Sequence, residues 1–545
     1  MTLRRSTPLP FSPVGLSDTL DGTNVLKGAM SSLQNLIPDP TTKNLWQCRP
    51  ASLELIDFAG TFAGAGFVSA QIVVGTRVYG MIATSRNLGH DEPFAYDLVT
   101  GMFVTISGVT AGNTPISPAT TGAWTPPTMT VVGTYILITH PGYTGSGGVM
   151  FGYINISNPA SPAYNGTNTA TNALPTPPVA VKGFNDRAYF LVNPPTGQPA
   201  AYFTDILAPL TITTGTNIIT FDDNVPLTAL GALPLNTQFG GIIQALVVFK
   251  GATNMYQITG DAASTSNPLA KNALSVATGT LAPNSICPTP KGLAFMAPDG
   301  IRIIDFKANV TDPIGDAGQG VTVPFKYSVV PSRVAAACNA TVLRITTQNG
   351  YASGTPTSEY WFDLPRGCWS GPHTFPASLI SVYANTFLIS PVGVPAKMFQ
   401  GDGAQTSIST FVEDGVQLTF NYATAMLPDT QQMSENAIIE ATVNFALAAG
   451  GSLSVTASDE NGAALGTSTI TAPAQTTIWG GFIWGAALWQ GGQNALAPRQ
   501  MDFSEPVVFR RLSISVIGNC AAGVKAGDMF LRYEQLGYLQ QRSFE

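Results

Sequence analysis

Phe94-Ala-Tyr-Asp-Leu-Val-Thr-Gly-Met-Phe103 and Glu359-Tyr-Trp-Phe-Asp-Leu-Pro-Arg-Gly-Cys-Trp369 share one order of residue types: aromatic, Asp, Leu, a turn with Gly, then an aromatic. An Asp that ends a strand and caps a Gly turn, followed by an aromatic on the returning strand, is a hairpin of defined geometry. Looser versions of this strand pair run through residues 51–405. Val78–Ile82 leads to Phe94–Leu98, Tyr135–Thr139 to Val149–Ile156, and Arg187–Val192 to Ala201–Ile206. Leu246–Lys250 leads to Asn254–Thr259, Gly292–Ala297 to Ile301–Phe306, Thr341–Thr347 to Glu359–Leu364, and Ser378–Ile389 to Ala396–Gln400. Six or seven such units, recurring every few tens of residues, are what the blades of a β-propeller look like in sequence. The competing reading is a set of unrelated hairpins in two sandwiches.

Outside this region the pattern changes. Residues 406–545 read as antiparallel strands over Gly415–Ala423, Ala437–Leu447, Gly451–Ala457, Gly462–Ala472, Phe509–Ile517 and Met529–Tyr538, which predicts a β-sandwich platform domain. Residues 1–50 hold six prolines and read as an extended N-terminal docking arm, with one helical candidate over Leu26–Leu36 that stops at Pro38. The expected fold class is all-β: an irregular propeller at 51–405, a C-terminal sandwich and an arm.

Composition supports this class and excludes others. Charged residues are 10% of the 545, against about 25% in an ordinary soluble domain. With 55 Gly and 41 Pro, the chain lacks the residues that cover long helices. A 44% hydrophobic content is enough for a large core and argues against disorder. The net charge of −7, with no Lys/Arg run longer than the pairs Arg4–Arg5 and Arg510–Arg511, gives no basic face for gripping nucleic acid. No window reaches the ~20 apolar residues of a membrane span, and Met1–Phe11 lacks the apolar core of a signal peptide. A chain made in the cytoplasm and soluble there is expected.

Few residues suggest chemistry. Cys48, Cys287, Cys338, Cys368 and Cys520 are far apart, form no C-x-x-C pair, and read as small buried hydrophobes. His90, His140 and His373 have no metal-ligand spacing and read as surface or satisfied loop histidines. No Gly-x-Ser-x-Gly elbow or phosphate loop occurs. The adjacent acids Asp222-Asp223, Glu413-Asp414 and Asp459-Glu460 would point to opposite faces of a strand, so none forms an acid/base dyad. No catalytic residue, cofactor or metal is assigned, and the expectation is a protein that is not an enzyme. The densest aromatic stretch is Ile478–Trp489, where Trp479, Trp484 and Trp489 lie five residues apart with Phe482 among them. It reads either as a core strand and turn of the sandwich or as a partner-docking surface, since Trp concentrates at interface hot spots.

The arm segments Gly28-Ala-Met-Ser-Ser-Leu-Gln-Asn-Leu-Ile-Pro-Asp-Pro40 and Leu45-Trp-Gln-Cys-Arg-Pro-Ala51, with Ser358-Glu-Tyr-Trp-Phe-Asp-Leu364 and Cys368-Trp369, resemble the tail hub or nozzle proteins of short-tailed bacteriophages. The resemblance implies a structural virion protein: a hexamer extending the DNA channel below the portal and its adaptor ring. It also implies retention and release of the genome, docking of tail fibres or spikes, and a plug or needle closing the tube. Double-stranded DNA would pass through the lumen without sequence-specific binding, and the protein would reside in the virion tail. An acidic chain with few charges suits such a role, because large permanent interfaces deplete charge and an acidic lumen repels DNA. Two other classes stay in play: a receptor- or glycan-binding propeller, and a glycan-degrading enzyme with carboxylates clustered in the propeller's funnel.

Overall fold

The structure is a computed structural model that describes residues 6–17, 28–62, 64–84, 91–110, 113–115, 126–143, 149–168, 174–213, 215–236, 241–314, 321, 325, 330–348, 357–375, 377–391, 396–401, 411–427, 435–447, 451–472, 496–521 and 523–537. Among the described residues the elements are almost entirely strands, with two single-turn 3-10 helices.

The two quoted stretches form matching hairpins. Asp97 is paired with Met102 and Tyr96 with Phe103; Asp363 is paired with Cys368 and Phe362 with Trp369. In the first turn the Asp97 carboxylate accepts the N–H of Val99 and of Thr100, and Gly101 donates to the Asp97 carbonyl. In the second, Arg366 N–H donates to the Asp363 carboxylate and Gly367 N–H to the Asp363 carbonyl. Gly101 and Gly367 have φ of +70° and +66°, a left-handed conformation that glycine adopts without a Cβ penalty. Both hairpins are the third and fourth strands of their sheets, so the sequence likeness marks the same place in a repeated unit.

The repeated unit is an antiparallel sheet. Six are four-stranded: 65–103, 128–168, 180–220, 227–275, 336–373, and 377–401 completed by Leu53–Asp57. A seventh, Cys287–Thr289, Gly292–Ala297 and Gly300–Ile304, has three strands. The innermost strands of these sheets contact one another in an unbroken cycle: Ala65–Val74, Thr128–Val132, Ala180–Phe184, Leu227–Asn236, Cys287–Thr289, Ala336–Cys338, Ala377–Tyr383 and back to Ala65–Val74. A closed ring of radially arranged sheets is a β-propeller.

Apolar side chains fill the wedges between neighbouring blades. Phe151 and Phe190 meet at 4.8 Å and Phe249 and Phe295 at 5.2 Å, each pair bridging two blades. The ring is closed by chain ends: Leu53–Asp57 enters before the first blade and pairs with Lys397–Gly401 as the outer strand of the last. Phe58, fully buried against Phe94 at 4.8 Å, then ties that blade to the first.

Apart from the short hairpin Val412–Glu413 and Val416–Gln417, the remaining strands form a two-sheet sandwich, and the described strands between residues 6 and 48 are woven into it. Ser6–Phe11, Leu36–Pro38 and Trp46–Cys48 join Glu435–Ala446, Lys525–Gly537, Ala497–Gln500 and Val508–Phe509 in one sheet. Gly15–Leu16 and Ala29–Gln34 join Thr419–Thr424, Ser513–Asn519, Ser452–Ser458 and Ala464–Thr471 in the other. Phe420, Tyr422 and Phe445 meet between the sheets, with Phe445 5.8 Å from Phe420 and 5.6 Å from Tyr422. The surface on which the arm docks is therefore the chain's own C-terminal part.

The helix expected over Leu26–Leu36 is corrected to strands Ala29–Gln34 and Leu36–Pro38. Met30, Leu33 and Leu36 are buried at helix-like spacing because of a bulge between Met30 and Ser32 and a left-handed Asn35 (φ +55°). Each device shifts the inward face by one residue, so the two-residue alternation of a strand is lost.

Sandwich and propeller share a sheet. The outer strand of the 336–373 blade, Cys368–His373, pairs through Gly371 and Leu33 with Ala29–Gln34, making one ten-stranded sheet across both units. One continuous core follows this sheet, joining Phe362 and Trp369 of the blade to Leu33, Trp46, Phe420 and Phe445 of the sandwich.

Candidate functional site

Two places concentrate polar groups where they could do work: the junction between propeller and sandwich, and the centre of the ring.

At the junction, the chain passes from sandwich to propeller at Arg49–Ser52 and returns at Glu413. Arg49 Nη1 and Nη2 donate to Glu413 Oε1 and Oε2 at 2.9 and 2.6 Å, and the Ser52 N–H donates to Oε1 at 2.8 Å. Arg49 Nε donates to Asn35 Oδ1 at 2.9 Å, and the Asn35 side-chain amide donates to Thr374 Oγ1 and the Thr419 carbonyl. The ion pair is almost wholly removed from water, with side chains 1% and 5% exposed. Burial pushes the Glu413 carboxyl up, but the guanidinium and the Ser52 hydrogen bonds outweigh it and hold the group below the ordinary glutamate range.

His373 continues the network. Its Nδ1 accepts the Asn35 N–H at 3.1 Å, so in the neutral ring Nε2 carries the proton and faces Ser370 Oγ at 3.3 Å. Burial, with the charges of Arg49 and Arg344 nearby, keeps its affinity for a proton well below that of an ordinary histidine. In this tautomer His373 donates toward Ser370 and cannot take its proton, so the pair does not form a nucleophile and base. Arg344, from the same blade, bonds to Glu359 and lies over the rings of Trp361 and Phe387 at 4.3 and 4.9 Å, clamping this blade to the next.

At the centre of the ring the innermost strands and the turn at Pro283–Ser285 line a cavity of about 200 Å³. Its polar side chains are Gln71, Thr128, Lys182 and Asn284; the rest of the lining is apolar, including Met129, Leu230 and Leu379. Gln71 is fully engaged: its amide donates to Ser381 Oγ and the Leu388 carbonyl and accepts from Ser390 Oγ. Thr128 Oγ1 accepts the Val181 N–H at 3.0 Å and bonds to Thr139 Oγ1 at 2.7 Å. No Asp or Glu lines the cavity among the described residues, so the clustered funnel carboxylates expected of a glycan-degrading enzyme do not line it.

The residues singled out from sequence fall as follows. Trp479, Phe482, Trp484 and Trp489 lie outside the described residues, as does His90. His140 and His373 are both buried rather than at the surface, and each satisfies Nδ1 with a backbone N–H. The adjacent acids diverge: Glu413 turns inward to Arg49 while Asp414 reaches Lys397 at 2.8 Å, and Asp223 and Asp222 take Lys250 and Lys271 respectively. Asp459 caps its turn through the N–H groups of Asn461 and Ala463. Cys48, Cys287 and Cys520 are buried and Cys338 and Cys368 half-buried. The reading missed Arg49, Asn35 and Lys182. Arg49 and Glu413 are 364 residues apart, and no local pattern announces such a pair.

No family model and no curated protein matches the chain. Among solved structures it is similar to a puromycin hydrolase at 11% identity and TM-score 0.36, the match covering 69% of this chain and 61% of that one. A BBS1N–ARL6DN complex gives 10% identity and TM-score 0.35 over 66% of this chain and 98% of the other. A glycoside hydrolase family 43 arabinoxylan arabinofuranohydrolase from Bacillus subtilis gives 12% and 0.25 over 88% and 96%. The chain spans about three fifths of the puromycin hydrolase's length.

These comparisons correct the expectation of a protein that is not an enzyme. The similar structures include hydrolases, and the exclusion of enzymatic chemistry drawn from sequence is withdrawn. At these identities and TM-scores no reaction or substrate passes from them to this chain. Among the described residues no helix is long and apolar enough to cross a membrane.

Proposed function

We propose that the chain is a structural subunit of a short bacteriophage tail, the nozzle or hub below the portal and adaptor. The observation that carries this reading is the ten-stranded sheet that makes propeller and sandwich one body. A wall section under load must transmit force without hinging, and paired strands with a shared core do so better than a linker of few contacts. The woven N-terminal segment, the buried Arg49–Glu413 pair and the strand Leu53–Asp57 that closes the ring add to this rigidity. The low charge and acidic balance suit permanent contacts between copies and a lumen that DNA does not stick to.

The propeller's own cavity, about 200 Å³, cannot admit a DNA duplex. The conduit in this proposal is therefore the space between subunits, and six copies around an axis would form it. Fibres or spikes would dock on the outer faces, and a plug would close the distal end. The test is to mix the purified chain with a portal–adaptor complex and image the product by electron microscopy. A ring of copies seated beneath the adaptor supports the proposal. A chain that leaves the adaptor face bare refutes it.

A further inference from the structure

The central cavity holds an imbalance that the scaffold reading does not use. Among the described residues Lys182 is the only charged side chain that lines it, and no hydrogen bond or ion pair there involves its ammonium. Within the same set Lys250, Lys271, Lys397 and Lys525 each meet a carboxylate, and Lys182 does not. Burial alone lowers the proton affinity of Lys182, and no neighbouring carboxylate restores it. Asn284, on the 3-10 turn that enters the fifth blade, is the second lining side chain without a hydrogen-bond partner among the described residues. Gln71 and Thr128 are spent on the protein itself, so the cavity offers one cation, one amide and an apolar wall.

We infer that the central cavity is a binding site for a small organic monocarboxylate, its carboxylate held by Lys182 Nζ, its apolar body against Met129, Leu230 and Leu379, and Asn284 supplying the second polar contact. Size and chemistry select this class together. A cavity of about 200 Å³ suits a compact ligand. A bare inorganic anion would leave the apolar wall facing water. A carboxylate supplies an acceptor for an ammonium that has no protein partner among the described residues, and charge-assisted hydrogen bonds are the stronger kind.

The test uses the full chain, with benzoate as ligand and benzyl alcohol as its uncharged counterpart, read by saturation-transfer NMR and calorimetry. The expected result is that benzoate binds at least about tenfold more tightly than benzyl alcohol. Lys182→Met abolishes that preference, Lys182→Arg keeps it, and Asn284→Ala weakens benzoate binding without removing the preference for charge. Thermal melts check that each variant is folded; if Lys182→Met is not, the benzoate to benzyl alcohol ratio in the natural chain decides alone. Equal binding of the two compounds, no binding of benzoate to the folded chain, or an unchanged ratio in folded Lys182→Met overturns the inference.

Discussion

Replacing Glu413 by Gln keeps the size of the side chain and removes its charge. The carboxylate accepts three hydrogen bonds, two from Arg49 at 2.6 and 2.9 Å and one from the Ser52 N–H at 2.8 Å. In the variant one oxygen becomes an NH2 that faces a guanidinium, so one bond turns repulsive and the Arg49 charge is left buried with only neutral acceptors. Breaking a buried pair by removing one partner costs about 3–5 kcal/mol, and an exposed pair is worth about 0–1 kcal/mol. With side chains 1% and 5% exposed, this pair belongs to the first group. Urea unfolding followed by tryptophan fluorescence and by circular dichroism measures the loss, provided the two probes coincide. A cycle of Glu413→Leu, Arg49→Met and the double variant then isolates the coupling, and the double variant should be more stable than either single one. A loss below 1 kcal/mol for Glu413→Gln, or a double variant as unstable as the two singles added together, would refute the view that this pair locks the two chain crossings.

Two further outcomes follow from the same structure. His373 stays neutral in the folded chain while in the unfolded chain it titrates near the ordinary value of about 6.5. Its contribution is therefore complete above that pH and is lost as pH falls below it, by at most about 1.4 kcal/mol per unit. Stability measured from pH 7.5 to 5 should decline in the natural chain with this slope removed in His373→Gln, and parallel curves would contradict the assignment. In the first blade, a Cβ on Gly80 would press on the Ala70 carbonyl oxygen and the Phe94 ring. Gly80→Ala should cost about 1–3 kcal/mol in the same unfolding assay, and a neutral result would show that the blade can shift to admit a methyl group.

Local devices were legible in the sequence and long-range ones were not. Asp97 with Gly101, and Asp363 with Gly367, can be read directly, because an Asp cap and a left-handed glycine lie within five residues and set the hairpin themselves. The seven strand pairs were visible for the same reason, since each is a run of β-branched and aromatic residues next to its partner. The closing strand Leu53–Asp57 pairs with residues some 340 positions later, so its role lies in topology rather than in composition. The arm misled in a specific way. A bulge after Met30 and the left-handed Asn35 gave a strand the burial spacing of a helix. Arg49 offered no signal because its carboxylate comes 364 residues later, after the whole propeller, and Lys182 offered none because only closure of the ring places it at the central cavity.

The most direct test of the central claim is the mass of the purified chain in solution, alone and with a portal–adaptor complex, by light scattering. The account predicts a complex that gains six copies of the chain. A mass unchanged by the adaptor ring, with the chain remaining a free monomer or trimer, would contradict it and leave a propeller whose work lies at a ligand rather than in a wall.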